Sequence, residues 1–346
     1  MRKRWPFAWV LLVFLLISCS HPAASERIGV FETVSPDEAG ISREKLDAIV
    51  DFCEESGSAA LLILHDGKVV LSWGEAETKY PIHSIRKALL NSLYGIHVER
   101  GDIDLDKTLE ELGIDDIPPV LTEEEKQAKV LDLLRSRSGV YHPAAAEAQV
   151  MIDSRPARGS HLPGSFFYYN NWDFNALGTI FEQETGRGSY EAFYEEIAQP
   201  LGMTDFQVED GMYWYEEEKS LHPAYHFYMT AHDMALYGLL YMNKGAWKGR
   251  QIVPAEWIAE STRTHSVIDP ETGFGYGYLW YVLPEELGLG RVFLHTGAGI
   301  HLLGVLPDLK VVVVHRVDTL ADEVRFTGDD LSQLFEMLVG ALIEVK

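Results

Sequence analysis

The stretch Pro81-Ile82-His83-Ser84-Ile85-Arg86-Lys87-Ala88-Leu89-Leu90 holds a serine and a lysine three residues apart, where a turn runs into an apolar, helix-prone segment. On a helix, residues three apart share a face, so the Ser84 hydroxyl and the Lys87 amine can point into one cavity. A serine hydroxyl is a weak nucleophile until an adjacent base takes its proton, and a desolvated lysine can be that base. The same spacing also fits an ordinary serine cap at a helix start.

Elements at both ends of the chain flank this stretch. Ser42, with Glu44 in the first turn, opens an amphipathic helix through about Glu55. Ala59–Leu64 and Val69–Trp73 read as strands joined by His65-Asp66-Gly67-Lys68, and an Asp-Gly pair between two such runs signals a hairpin. Near the C-terminus, Phe274–Val282, Arg291–His295, Leu302–Leu306 and Val311–His315 read as four consecutive strands, the last two joined at Pro307-Asp308-Leu309-Lys310. After Asp329, the residues Leu331, Leu334, Phe335, Leu338, Val339, Leu342 and Ile343 form the stripe of a helix lying on a sheet. The middle, 86–270, is mainly helical in pattern. The expected fold is α+β: one antiparallel sheet built from residues 39–85 and 271–346, flanked by terminal helices, with a helical region inserted.

The 346 residues are 47% hydrophobic and 11% aromatic, a globular composition rather than a disordered one. Arg2-Lys3-Arg4 and the apolar run Trp9–Ile17 form a targeting segment, too short to span a bilayer comfortably. The run ends in Leu16-Ile17-Ser18-Cys19, which resembles the lipobox of bacterial lipoproteins. Residues 1–18 are therefore expected to be a signal peptide, Cys19 the lipidated residue and 19–38 a tether. The implied location is an exported, membrane-anchored lipoprotein on the periplasmic or cell-surface side. Loss of the three basic residues in 1–18 moves the net charge from −24 to −27, which disfavours nucleic-acid partners. Cys53, at helical spacing with Leu46, Ile49 and Val50, reads as a buried core thiol, and with Cys19 lipidated no internal disulfide forms. His222, His226 and His232 lack an accompanying carboxylate-containing ligand pattern, so neither a metal nor another cofactor is expected. The absence of Gly-x-Ser-x-Gly and of a phosphate-binding glycine loop disfavours α/β-hydrolase and nucleotide chemistry.

Three further stretches accompany Ser84-x-x-Lys87: Leu133–Val140 with Ser136 and Ser138, Pro163–Asn171 ahead of a helix-like segment, and Arg291–Ala298 ending in a small-residue turn. Tyr169 sits in an aromatic cluster and taken by itself reads as core, and His295 taken by itself reads as a surface histidine. Taken in order, Ser84-x-x-Lys87, Tyr169-x-Asn171 and His295-Thr296-Gly297 closely resemble the serine β-lactamase/penicillin-binding-protein superfamily. The nearest part is the class C-like branch, with its DD-peptidases, carboxylesterases and 6-aminohexanoate-dimer hydrolases. Met229–Ala235, Gly245–Gly249 and Gln199-Pro200-Leu201-Gly202-Met203 extend the likeness, which covers about residues 35–345.

The resemblance implies a serine hydrolase acting on a small-molecule or peptide substrate. Ser84 would form an acyl-enzyme, Lys87 would accept its proton, and Tyr169 would relay protons. Asn171 would hold Lys87 and the substrate, His295, Thr296 and Gly297 would line the substrate edge, and the N–H groups of Ser84 and Ala298 would form the oxyanion hole. Ser136 and Ser138 are expected to shape a loop beside the site. Histidine at 295, where most β-lactamases have lysine, shifts the expectation from a dedicated β-lactamase toward esterase, amidase or DD-peptidase chemistry. The bulky stretch His222–Tyr228, read as a loop, would narrow the cleft if it lines it. The alternative is a catalytically silent penicillin-recognising or peptide-binding lipoprotein.

Overall fold

The computed structural model describes residues 27–343, so the signal segment, Cys19 and the first part of the expected tether lie outside the described residues. The rest of that tether is structured. Arg27–Ile28 (β1) pairs with Phe31–Glu32 (β2), Phe31 is buried, and the Val34 N–H donates to the Val69 carbonyl. One large apolar ring with a core site to fill is enough to pin this short segment.

Arg43–Ser56 (α1) begins at Ser42, whose hydroxyl accepts from the Lys45 N–H, and stops at Gly57 in the left-handed region. Ala60–His65 (β3) and Lys68–Gly74 (β4) form the expected hairpin, with positive φ at both Asp66 and Gly67. Tyr80–Pro81 (β5) leads through a 3₁₀ turn at His83–Ile85 into Arg86–Arg100 (α2). The region that follows is mainly helical: Leu109–Leu112 (α3), Val130–Leu134 (α4), Gln149–Ser154 (α5), Asn171–Thr185 (α6), Ser189–Phe193 (α7) and Gln199–Leu201 (α8).

Gly211–Trp214 (β6) and Ala224–Met229 (β7) then form a three-stranded sheet with β5, in the order β5-β7-β6. The stretch expected as a bulky loop is therefore a strand. Its alternation puts Tyr225, Phe227 and Met229 inside and leaves His226 and Tyr228 partly exposed. Ala231–Met242 (α9), the short pair Ala246–Trp247 (β8) and Arg250–Gln251 (β9), and Ala255–Ser261 (α10) complete the insert.

The C-terminal part supplies Ser266–Asp269 (β10), Phe274–Tyr276 (β11), Tyr281–Leu283 (β12), Val292–Gly297 (β13), His301–Leu306 (β14), Val311–Arg316 (β15) and Gly328–Leu342 (α11). The sheet runs β10-β11-β12-β13-β14-β15-β3-β4, antiparallel throughout, so the two ends of the chain meet where β15 pairs with β3. Two boundaries differ from expectation. The single strand over 274–282 is broken into β11 and β12 at Gly277–Trp280, where Tyr278 and Leu279 N–H groups leave the sheet to bond the Ser261 and Leu134 carbonyls. The sheet also begins at β10, inside the expected insert.

Both faces of the sheet are covered. One core packs α1 and α11 on the sheet through Leu46, Ile49, Cys53, Leu334 and Leu338; Cys53 is the buried thiol expected. The other face carries α9 and the insert. Gly238 lets α9 lie close, since an added Cβ would stand 2.5 Å from Val312 Cγ1.

Candidate active site

Ser84 occupies the 3₁₀ turn immediately before α2, at the junction of the eight-stranded sheet and the insert. The turn is held from both sides. The Ile82 N–H donates to the Phe227 carbonyl, and Ile82 and Ile85 are fully buried while Ser84 stays partly exposed. His83 adopts φ 48°, which is strained for a residue with a Cβ, and its Nε2 lies 2.8 Å from Thr319 Oγ1.

The first turn of α2 carries Lys87 inward. Its side chain is 0% exposed, with Nζ 2.7 Å from Ser84 Oγ and 2.8 Å from Tyr169 Oη. The rings of Tyr169 and Phe174 lie 4.6 Å and 4.4 Å from Nζ. Burial, reinforced by the neighbouring Arg86 cation, holds the amine well below its usual basicity. Lys87 is thus a weakened ammonium acid-base pair, suited to exchanging a proton with Ser84 rather than to serving as a fixed charge. Burial also pushes the Tyr169 phenol up to about 12, against the lowering effect of its Ser84 hydrogen bond and of Arg86. Tyr169 therefore keeps its proton near neutrality.

Tyr169 is carried by the loop into α6, and the 133–140 stretch shapes that loop. The Tyr168 N–H donates to the Ser136 carbonyl, the Ser138 hydroxyl donates to Asp173 Oδ1 at 2.5 Å, and Asn170 Oδ1 caps α6 at the Asp173 N–H. Ser136 and Ser138 act as sequence reasoning expected. Tyr281 stacks on Tyr169 with centroids 5.8 Å apart, and Tyr276 meets it edge-on at 6.0 Å.

Asn171 is in the cleft wall but does not hold Lys87. Its Nδ2 donates to the Ala146 carbonyl at 2.5 Å, with the Ala145 carbonyl at 3.4 Å, while Oδ1 is buried without a partner. Two carbonyls fix the amide orientation, because the flipped group would oppose acceptor to acceptor. The reason for the departure is its place at the first residue of α6, facing the 145–146 turn rather than α2.

His295, Thr296 and Gly297 form the end of β13 beside the Ser84 turn. A Cβ on Gly297 would stand 2.4 Å from the Ile82 carbonyl, so glycine permits this contact. His295 is not a surface residue: it is 0% exposed, its Nδ1 donates to the Thr296 carbonyl at 2.8 Å, and its Nε2 is buried without a partner. Burial, aided by Lys87, pushes its imidazole down to about 3, so no cation stands there at neutral pH. Ala298 follows at φ 51° and borders the cleft together with Ser84.

The cleft has a volume of about 430 Å³ and is walled by Ser84, Arg86, Asn171, Trp214, His226 and Ala298 among others. The three histidines weighed for metal are dispersed. His226 borders this cleft, His222 bonds Thr179 and the Asp115 carbonyl, and His232 packs edge-on against Phe31. Sequence reasoning missed Arg86 and Arg316. Arg316 is 0% exposed and donates to the carbonyls of Tyr80, Pro81 and Met229, clamping β5 and β7 just ahead of Ser84. An arginine closing a strand that opens with four valines is its sequence signal.

The arrangement brings a partly exposed hydroxyl, a buried amine of depressed basicity and a protonated phenol within hydrogen-bond distance of one another. Comparison with known proteins agrees in family. Residues 46–332 match the family model described as Beta-lactamase. A D-aminopeptidase from Brucella anthropi is 30% identical over 176 residues, 42% of this chain and 31% of that protein. The curated relatives are thus matched over part of their length, 31% in this case and 54% for Salmonella relatives at 23% identity. An octameric penicillin-binding protein homologue from Pyrococcus abyssi shares the fold with a TM-score of 0.64 at 22% identity, covering 87% of this chain and 78% of that one. A structure of SurE with D-Leu gives 0.61 at 19%, covering 88% and 76%. With the family model spanning the chain from α1 into α11, this protein belongs to the Beta-lactamase family, a family of serine hydrolases.

Proposed function

We propose that the protein is an exported serine hydrolase that cleaves an ester or amide bond through a Ser84 acyl-enzyme. The observation that carries this is the fully buried amine of Lys87, 2.7 Å from Ser84 Oγ, with its basicity depressed. A group that buried and unpaired by any carboxylate is costly to the fold and is suited to taking a proton.

In the proposed reaction Ser84 Oγ attacks the carbonyl carbon while its proton passes to Lys87 Nζ. The oxyanion accepts hydrogen bonds from the Ser84 and Ala298 N–H groups. The C–O or C–N bond then breaks, and the proton reaches the departing oxygen or nitrogen from the Lys87 ammonium through the Tyr169 hydroxyl. Water repeats the attack on the acyl-enzyme, gives its proton to the same pair, and Ser84 regains its hydrogen. A Tyr169 phenol held to about 12 fits the relay and not the role of a phenolate base. Asn171 Oδ1, the free acceptor in the wall, suits an N–H donor on the substrate.

The D-aminopeptidase relative and the SurE structure with D-Leu favour amides or esters of D-configured residues over β-lactams. Export and lipid attachment at Cys19 belong to the same proposal and rest on Arg2–Cys19 alone. A fluorophosphonate or fluorescent penicillin probe tests the chemistry. Labelling of the wild type that disappears in Ser84→Ala is the expected result. No labelling by either probe would sink this reading.

A further inference from the structure

We infer that Arg86 is a specificity residue of this cleft, its guanidinium receiving a carboxylate carried by the ester or amide substrate. The inference rests on the acyl-enzyme reading above and adds the substrate class. Arg86 is 2% exposed, yet it forms part of the cleft wall two residues from the nucleophile. Its partners are neutral: Nη2 donates to Asn175 Oδ1 at 2.9 Å, and Cζ lies 4.2 Å over the Tyr225 ring. Nη1 is buried without a well-formed hydrogen bond, the neutral Tyr225 hydroxyl being the other polar group beside the guanidinium.

A permanent cation taken from water needs an opposite charge, and one amide oxygen and an aromatic face supply only part of that. The missing partner has a defined character: a planar anion that a guanidinium fork can bind, which describes a carboxylate. Other charges bordering the cleft are already matched. Glu147 pairs with Arg155 at 2.5 Å and Glu216 with Lys219 at 2.6 Å. Lys87 is spoken for by Ser84 and Tyr169, and His83 and His226 are pushed by burial down to about 4 and about 3. Arg86 is thus the unmatched charge in this wall among the described residues. The protein as a whole, at net −24, repels anions, so a cation deep in the cleft selects a substrate of the right shape rather than gathering anions in general.

The test compares matched neutral and anionic substrates. One pair carries the charge on the acyl side, mono-p-nitrophenyl adipate against p-nitrophenyl hexanoate. The other carries it on the leaving group, 3-acetoxybenzoate against its methyl ester. In the wild type the anionic member of at least one pair should have the higher kcat/KM, roughly ten- to hundredfold for a hydrogen-bonded charge. In Arg86→Gln that ratio should fall at least tenfold, whatever happens to the absolute rates, whereas a purely structural role would lower both members alike. If Arg86→Gln does not fold, competitive inhibition of the wild type is read instead, and adipate should bind at least tenfold more tightly than adipamide. A neutral preference in both pairs, an unchanged ratio in the variant, or equal inhibition by adipate and adipamide would overturn the inference. Fluorophosphonate labelling of the same wild-type samples separates the levels: labelling with no anionic preference removes the Arg86 role alone, and no labelling removes the acyl-enzyme reading beneath it.

Discussion

Replacing Lys87 by methionine should separate chemistry from stability, because the two respond with opposite signs. The amine is 0% exposed and contacts Ser84 Oγ at 2.7 Å and Tyr169 Oη at 2.8 Å. Methionine is similar in length and fits the space between the Tyr169 and Phe174 rings, but it accepts no proton. Loss of a general base lowers the rate by about 10²–10⁴, or roughly 3–5.5 kcal/mol at about 1.4 kcal/mol per decade. The fold loses two hydrogen bonds, each worth about 0.5–1.5 kcal/mol net. Against this, the folded amine is less basic than its ordinary 10.5. Between its depressed folded value and 10.5 the unfolded chain therefore holds a proton that the folded chain has released. That difference opposes folding, grows as pH falls, and disappears above the unfolded value. Lys87→Met removes it and adds apolar packing. The variant should melt within a few degrees of the wild type or higher, while kcat/KM and the rate of probe labelling fall at least a hundredfold. Thermal unfolding by circular dichroism and ester turnover on the same preparation read both. Turnover within tenfold of wild type would refute the base assignment, and a collapse of the melting temperature would make Lys87 a structural residue.

Arg316→Met should destabilise, since it strips donors from the Tyr80, Pro81 and Met229 carbonyls. Partly offset by no longer burying a cation, the cost is about 2–4 kcal/mol, or a fall of about 3–6 °C on heating for a chain of this length. A melting temperature within 2 °C or so of wild type would contradict the clamp. The fold should also weaken steeply in mild acid. Burial depresses His83 to about 4 and His226, His295 and His315 to about 3. Below about 6.5 the unfolded chain binds protons at these positions that the folded chain does not, so stability falls with pH by up to about 1.4 kcal/mol per unit for each until their folded values are reached. Urea midpoints at pH 7, 6 and 5 measure this, and a flat series would refute it.

Much of the architecture was legible because it is local. The Ser42 cap, the Asp66-Gly67 turn and the stripe from Leu331 to Leu342 are each specified within one or two turns of chain, and the α+β arrangement follows from strands appearing at both ends. The order Ser84, Lys87, Tyr169, His295 was legible as a pattern of residue types, and Lys87 can reach Ser84 simply because a helix brings i and i+3 together. Tertiary contact decided the rest. Tyr169 joins Lys87 across 82 residues of chain, and Asn171 is turned away by two carbonyls that its sequence neighbours do not reveal. The same is true of the break at Gly277–Trp280, the strand at Ala224–Met229, and the Phe31 ring that pins the β1–β2 hairpin. Above all, residue type alone does not say whether an amine is charged. Lys87 is an amine of depressed basicity, His295 a neutral core group and Arg86 a cation without an acidic partner because of what surrounds them, and desolvation is a property of the assembled cavity rather than of any stretch of sequence.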